Sequence, residues 1–420
     1  MARHVHPLFG AIRRQPGASP SHGAASADVS KRVTRMKNRI LPRLAGWGFL
    51  LVVLGLAPPA AAERPSFDTS ARNAIVVDFQ TGAVLLNKNA DQRMPTASMS
   101  KIMTAYTVYA YLAEGKAKLD DMLPVSEQAW RTGGSKMFVP YPGQAKVEDL
   151  LRGMIVQSGN DACIVLAEGL AGSVPAFVDK MNELAQKMGL KDSHFANVDG
   201  LPAPGHYMSP RDLATLSRHL IQDFPQFYRY EAEKDFTYNG IKQGNRNPLL
   251  YKDLGADGIK TGHTEEAGYG LVGSAVRNGR RVVFVLSGME SMKERAQESE
   301  RVLDWAYREF ADYAVVKAGE TIDEAPVWMG VRDKVTVAPA KDVTVTLWPA
   351  ARKDLKVTAV YDGTLKAPVS KGQVVGKLMI TAADSDPVEV PLQAMQDIDR
   401  LGPLGRMAET AGYLLWGKKR

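Results

Sequence analysis

The chain has 420 residues, 45% hydrophobic and 24% charged, enough for roughly two to three globular domains and too apolar for a disordered polymer. Its net charge of +7 sits in residues 1–62, where nine Lys/Arg against one acid, Asp28, make +8. The rest of the chain is left at −1, which excludes an electrostatic footprint for nucleic acid.

In chain order, the basic run KRVTRMKNRILPR precedes LAGWGFLLVVLGLA and the small residues Ala60-Ala61-Ala62. This is the pattern of an export signal cut near Ala62, with an apolar stretch short for a membrane span. Met36 is expected to be the true start, since the upstream residues lack periodicity. The single cysteine, Cys163, cannot form an internal disulfide, and its apolar setting places it in the core.

AIVVDFQTGAVLLNKN reads as two strands around Gln80-Thr81-Gly82. After Pro95, the residues Met99, Ile102, Met103, Tyr106, Tyr109 and Ala113 recur at helical spacing. Further helices are predicted over Val147 to Gln157, from Asp161, and over Ala176 to Met188. The loop SHFANVDGLPAPGHYMSPRD is long enough to suggest function. From Gly258 the period changes to two, and Asn278-Gly279 between two apolar runs is a hairpin turn. KTG therefore belongs at one edge of an antiparallel sheet, and a helix from Ser291 to Phe310 closes the domain. Helices covering such a sheet make a mixed α/β (α+β) domain. Beyond Tyr313, alternating runs such as DVTVTLW and LKVTAVY predict a small all-β domain. The tail carries Leu401, Leu404, Met407, Ala411, Leu414 and Leu415 on one helical face, with Arg406, Lys418, Lys419, Arg420, Tyr413 and Trp416 around it. It is expected to lie in a membrane interface. The expected division is 1–62 leader, 63–312 catalytic domain, 313–395 β domain and 396–420 anchoring helix.

Three short elements carry the chemistry. Ser98 and Lys101 lie three residues apart at a helix start, Ser158-Gly159-Asn160 lies in a break between helices, and Lys260-Thr261-Gly262 lies on a strand. Their order and setting match the motif set of penicillin-binding proteins and class A β-lactamases. Positions i and i+3 share a helix face, so the Lys101 amine can reach the Ser98 hydroxyl. Lys101 must be neutral to accept a proton, and burial together with the Lys260 charge pushes its pKa down. Ser158 can relay a proton and Asn160 can orient Lys101. Lys260 and Thr261 offer a cation and a hydroxyl to a substrate carboxylate, and Gly262 lets a substrate backbone lie close. The amides of Ser98 and His263 are placed for an oxyanion hole. The His263 side chain reads equally as a substrate contact or a polar rim residue. Asp257 and Arg211 read as structural ion-pair members. The histidines show no metal-ligand spacing, and neither metal nor cofactor is expected.

The segments PTASMSKIMTAY, GGSKMFV, VEDLLRGMIVQSGNDA, NVDGLPAPGHYMSPRDLA, NRNPLL and GADGIKTGHTEEAGYGLVGSA occur in the order in which similar segments occur in one family. Over roughly Ala74 to Phe310 the chain resembles the D-alanyl-D-alanine carboxypeptidases, low-molecular-mass penicillin-binding proteins of serine peptidase type. That resemblance implies attack by Ser98 on terminal D-Ala-D-Ala of peptidoglycan stem peptides, release of D-alanine, and hydrolysis of the acyl-enzyme. It also implies acylation of Ser98 by β-lactams and a place on the periplasmic, outer face of the cytoplasmic membrane. Gly270 departs from the pattern, where a larger residue is expected. A D,D-endopeptidase uses the same residues and stays open. A β-lactamase is disfavoured because no Glu-x-x-Leu-Asn element lies between the second and third motifs. A non-catalytic wall-binding module has no need of a serine-lysine pair.

Overall fold

The computed structural model describes residues 63–361 and 363–417. The predicted leader, the Met36 start, and Lys418 to Arg420 lie outside the described residues.

At the centre is a five-stranded antiparallel sheet in the spatial order Val84–Lys88, Asn73–Asp78, Arg280–Met289, Gly268–Arg277, Ala256–Thr264. Both predicted hairpins are present. Period-2 alternation divides its side chains between two cores. Ile75, Val77, Ile259, Val272, Val283 and Val285 face one core, and Val76, Leu271, Ala275, Val282, Phe284 and Leu286 face the other. With both faces covered, the Asn73–Asp78 strand is buried at every position, which is why it reads as a continuous apolar run.

The first face is covered by the helices Lys101–Ala113 and Pro210–Asp223, backed by Val147–Val156, Asn160–Ala171 and Val174–Lys187. The second face packs on Met292–Glu309. The Ser291 hydroxyl caps this last helix by accepting the Glu294 N–H at 3.1 Å. The Pro210–Asp223 helix starts inside what reads as loop. Ser209 accepts the Asp212 N–H at 3.1 Å and Pro210 takes the first turn, so Ser-Pro-x-Asp was its available signal.

Beyond Phe310 the described residues form β-strands, interrupted by one 3-10 turn at Ala351–Asp354, up to the final helix. Ala311–Val316 pairs with Val343–Leu347, and six further strands form a second sheet. Val343, Val345 and Leu347 are buried as their alternation predicts. The companion run fares less well: Lys356–Val360 is an edge strand, and Val357 is exposed.

The β region joins the central sheet through one core, in which Phe310 meets Trp348 edge-on at 6.3 Å. Beside it Arg280 bonds Asp78, which is fully buried, at 2.9 Å and Asp312 at 3.3 Å. Arg280 also donates to the carbonyls of Ala306 and Phe310, at 3.1 and 2.9 Å. Removing one partner of a buried ion pair strands the other charge, so Arg280→Ala is expected to cost about 3–5 kcal/mol. Chemical denaturation of the variant checks this, and an unchanged midpoint would contradict it.

Candidate active site

The nucleophile candidate stands on a tight turn. Ala97–Ser100 is a 3-10 helix, and the α-helix begins at Lys101. Pro95 therefore lies ahead of the turn and not in the first helical turn. In 3-10 geometry residues i and i+3 eclipse, and Lys101 Nζ lies 2.9 Å from Ser98 Oγ. Ile102, Met103 and Tyr109 anchor the helix in the core, and Met99 anchors the turn.

Lys101 is 1% exposed. Its amine also lies 2.8 Å from Asn160 Oδ1 and contacts the Asp199 carbonyl. Both of these oxygens can only accept. In the neutral amine they take the two N–H groups, which leaves the lone pair for the Ser98 hydroxyl. Burial lowers the Lys101 pKa; neighbouring Cys163 and Asp199 act to raise it and Arg246 to lower it. The repulsion expected from Lys260 is expressed at the other partner. Lys260 is driven well below the ordinary lysine value by burial first, then by Lys101 and Arg246, against the opposing pull of Glu231.

Ser158 lies in the break between the helices Val147–Val156 and Asn160–Ala171, and Asn160 opens the second of them. Ser158 is buried in a left-handed conformation, φ 66°, and its hydroxyl has no partner within the protein. A strained serine with an unused hydroxyl marks a functional position. Asn160 donates from Nδ2 to Gly133 O at 2.8 Å, which fixes Oδ1 toward Lys101. Cys163 donates to Gly159 O at 3.2 Å, and burial raises its thiol to about 12, consistent with a core residue.

Lys260, Thr261 and Gly262 lie on the sheet's edge strand and are buried. Gly262 serves a purpose other than the one read from sequence. A Cβ there would stand 2.8 Å from Thr96 O and 3.0 Å from Met99 Cγ, so its bareness brings the strand against the nucleophile turn. The same side chain explains Gly270, where a Cβ would meet Met99 Cε at 2.6 Å. His263 is exposed and stacks on Tyr269 at 3.9 Å, at the rim. Asp257 pairs with Arg281 at 2.7 Å, and Arg211 bonds Asp91 at 3.0 Å, both away from the cluster.

Four contributors have no role in the sequence reading. Asp199 acts through its backbone, which no residue type announces. Asp161 is fully buried and accepts the N–H groups of Met137, Phe138 and Val139 at 2.9, 2.8 and 3.2 Å, pinning the GGSKMFV segment beside Asn160. Arg246, in NRNPLL, bonds Ser135 Oγ at 2.7 Å and adds positive charge beside both lysines. Glu231, its carboxyl pushed up to about 8 by burial, is the acid whose field reaches Lys260.

The sequence and the fold both have known relatives. The model of a family described as D-alanyl-D-alanine carboxypeptidase matches residues 59–291, and that of a penicillin-binding protein 5 C-terminal domain matches residues 310–400. D-alanyl-D-alanine carboxypeptidase DacA of Escherichia coli is 40% identical over 347 residues, 81% of this chain and 86% of its own length. The Haemophilus influenzae protein of the same name is 38% identical over 359 residues, covering 84% and 89%. Among solved structures, penicillin-binding protein 5 from Haemophilus influenzae superposes with a TM-score of 0.75 at 39% identity, over 82% of this chain and all of that one. Penicillin-binding protein D2 from Listeria monocytogenes, in its ampicillin-bound form, gives 0.54 at 31% identity, covering 58% of this chain and 99% of that one.

A base must be unprotonated to act. Acylation of Ser98 by labelled penicillin is therefore expected to speed up as pH rises through an apparent pKa below the ordinary lysine value of 10.5. Lys101→Ala is expected to lose about 10²–10⁴-fold in acylation rate. A flat pH profile in the wild type would contradict the assignment.

Proposed function

Because this chain belongs to the D-alanyl-D-alanine carboxypeptidase family and is a serine-type, penicillin-binding hydrolase of that class, we propose that Ser98 is its nucleophile and Lys101 the general base. The observation that carries this is the Lys101 amine, buried and held between two obligate acceptors and the Ser98 hydroxyl.

Ser98 Oγ attacks the carbonyl carbon of the penultimate D-alanine and its proton passes to Lys101 Nζ. The carbonyl oxygen becomes an oxyanion facing the backbone N–H groups of Ser98 and His263. Collapse breaks the peptide bond, and the leaving amine of D-alanine takes the proton back through the unpartnered hydroxyl of Ser158. Water then attacks the ester, Lys101 again taking a proton, and Ser98 is restored. Lys260 and Thr261, with Arg246 beside them, receive the terminal carboxylate. That anion favours the charged form of Lys260, whose charge in turn disfavours a proton on Lys101. The substrate is the stem peptide of peptidoglycan.

We infer that the reaction takes place on the periplasmic, outer face of the cytoplasmic membrane, with the chain exported by its leader and held there by the C-terminal helix. Two observations support the helix as an interfacial anchor. Pro403–Trp416 turns Leu404, Met407, Leu414 and Leu415 to solvent, each at least 69% exposed. It is also 14 residues long, and among the described residues no single helix is long and apolar enough to cross a membrane.

Incubation of the mature chain with a pentapeptide ending in D-Ala-D-Ala is expected to release D-alanine, and Ser98→Ala to abolish both release and penicillin labelling. Fast penicillin turnover without D-alanine would overturn the reading in favour of a β-lactamase. Removal of residues 398–420 is expected to shift the protein from the membrane pellet to the supernatant while D-alanine release from soluble peptide persists. A truncated protein that still pellets would refute the anchor.

A further inference from the structure

At one end of the central sheet, where Asn73–Asp78 begins and Val84–Lys88 stops, lies a cleft of about 490 Å³. Three cations line it, Arg72, Lys88 and Arg93, and no Asp or Glu does. The chain beyond residue 62 carries a net charge of only −1, so this gathering of one sign is local. None of the catalytic steps uses it.

The cations are only partly engaged. Lys88 Nζ donates to the Thr69 carbonyl at 2.6 Å, which occupies one of the three N–H donors of an ammonium. Arg72 donates from Nη2 to the carbonyls of Glu266 and Ala267, at 3.1 and 3.0 Å. These acceptors are neutral, and among the described residues neither Lys88 nor Arg72 forms an ion pair with a carboxylate. Arg93 does have an acid, Asp192, at 3.1 Å. Gln92, also in the lining, accepts from Asn73 Nδ2 through Oε1 at 3.2 Å, which keeps its NH2 group as a further donor. Cations and amide donors converging on a cleft without an acid are the chemistry that recognises a carboxylate.

The cleft also has a neighbour. It shares Arg93, Met94 and Pro95 with a smaller one of about 280 Å³ that borders the nucleophile turn. Given the carboxypeptidase reading on which the inference rests, the substrate lies antiparallel to Ala256–Thr264, with its terminal carboxylate at Lys260 and Thr261 and its scissile carbonyl at the His263 amide. Its upstream residues then leave the strand past Thr264. An extended chain advances about 3.4 Å per residue. The residue two places ahead of D-Ala-D-Ala is therefore about 7 Å beyond the scissile one, level with the Glu266 and Ala267 carbonyls that hold Arg72. We propose that the cleft is a recognition site for a free carboxylate on that residue, received by Lys88 and Arg72 with Arg93 at the side. The enzyme then reads an acidic group well upstream of the bond it cuts. A γ-linked D-glutamate presents such a carboxylate, whereas D-isoglutamine, its amide, has the same shape without the charge.

The test compares two N-acetylated tetrapeptides, γ-D-glutamyl-lysyl-D-Ala-D-Ala and D-isoglutaminyl-lysyl-D-Ala-D-Ala, by kcat/KM for D-alanine release. The wild type is expected to prefer the first by about tenfold, the scale of one hydrogen bond to a charged group. Lys88→Gln removes a cation and should cut that ratio several-fold, while Lys88→Arg keeps the charge and should retain most of it. Neither variant should change the rate on the isoglutaminyl peptide, and penicillin labelling of Ser98 shows that each is folded. Equal wild-type rates on the two peptides, or a ratio unmoved in labelled Lys88→Gln, would overturn the carboxylate site and leave the carboxypeptidase reading intact. No D-alanine from either peptide would overturn that reading and the site with it.

Discussion

The structure turns on keeping one amine dry. A lysine in water holds its proton to about pH 10.4 and is no base at neutral pH. Burial takes away the solvation that stabilises the charged form, and here it is complete, with Lys101 at 1% exposure. Desolvation alone would leave polar hydrogens unpaired, so the fold supplies two acceptors from opposite directions. Asn160 arrives from the start of one helix and the Asp199 carbonyl from the loop between 193 and 209. Both must be rigid for the lone pair to point at Ser98. Asn160 is fixed through Gly133, and Asp161 holds the neighbouring segment by its backbone amides. The Asp199 loop is fixed through Thr104, whose hydroxyl donates to Val198 O at 2.7 Å, and through Asn197, which accepts the Gly200 N–H at 2.8 Å.

A second constraint is closeness. The edge strand must reach the nucleophile turn if the Ser98 and His263 amides are to address one oxygen, and Met99 stands between the two elements. Interiors are packed like crystals, with no slack for an extra methyl group. Gly262 and Gly270 both face Met99, so the two bare positions and the one large side chain form a matched set. Gly270 thus ceases to be a departure that casts doubt on packing. It is the neighbour that a methionine at position 99 demands.

What was legible in the sequence follows from what residue types can announce. Ser98, Lys101, Ser158, Asn160 and Lys260 are chemically distinctive, and their secondary-structure settings follow from periodicity and turn signals. The hairpin at Asn278-Gly279 and the edge position of KTG were legible for the same reason. Contributions made by backbone or by charge at a distance were not. The Asp199 carbonyl could belong to any residue. Asp161 and Arg246 lie inside segments whose resemblance was plain, but their partners are 22 to 24 and 111 positions away. The helix from Pro210 was hidden because the glycines, prolines and histidines before it read as loop to Asp212. Val357 shows the converse failure. Its alternation is that of a strand with one buried face, and its place at the sheet edge leaves that face uncovered.

The edge strand itself shows how recognition and solubility are reconciled. A free sheet edge invites pairing with any extended chain. Along Ala256–Thr264 that invitation is restricted by neighbours on the first half. The Asn247 side chain donates to Gly258 O at 2.9 Å, and the Tyr228 hydroxyl and Arg281 hold Asp257. On the second half Lys260 and Thr261 are buried, and the edge is flanked by the nucleophile turn. Under the proposed mechanism an incoming strand must present a negative end to Lys260 and the neighbouring Arg246 and fit beneath Ser98. Long β-segments of other proteins carry no terminal carboxylate at that register. On that proposal, the geometry that would offer backbone pairing to a short D-Ala-D-Ala terminus denies it to an extended chain passing through, and a recognition edge is left open without becoming an aggregation edge.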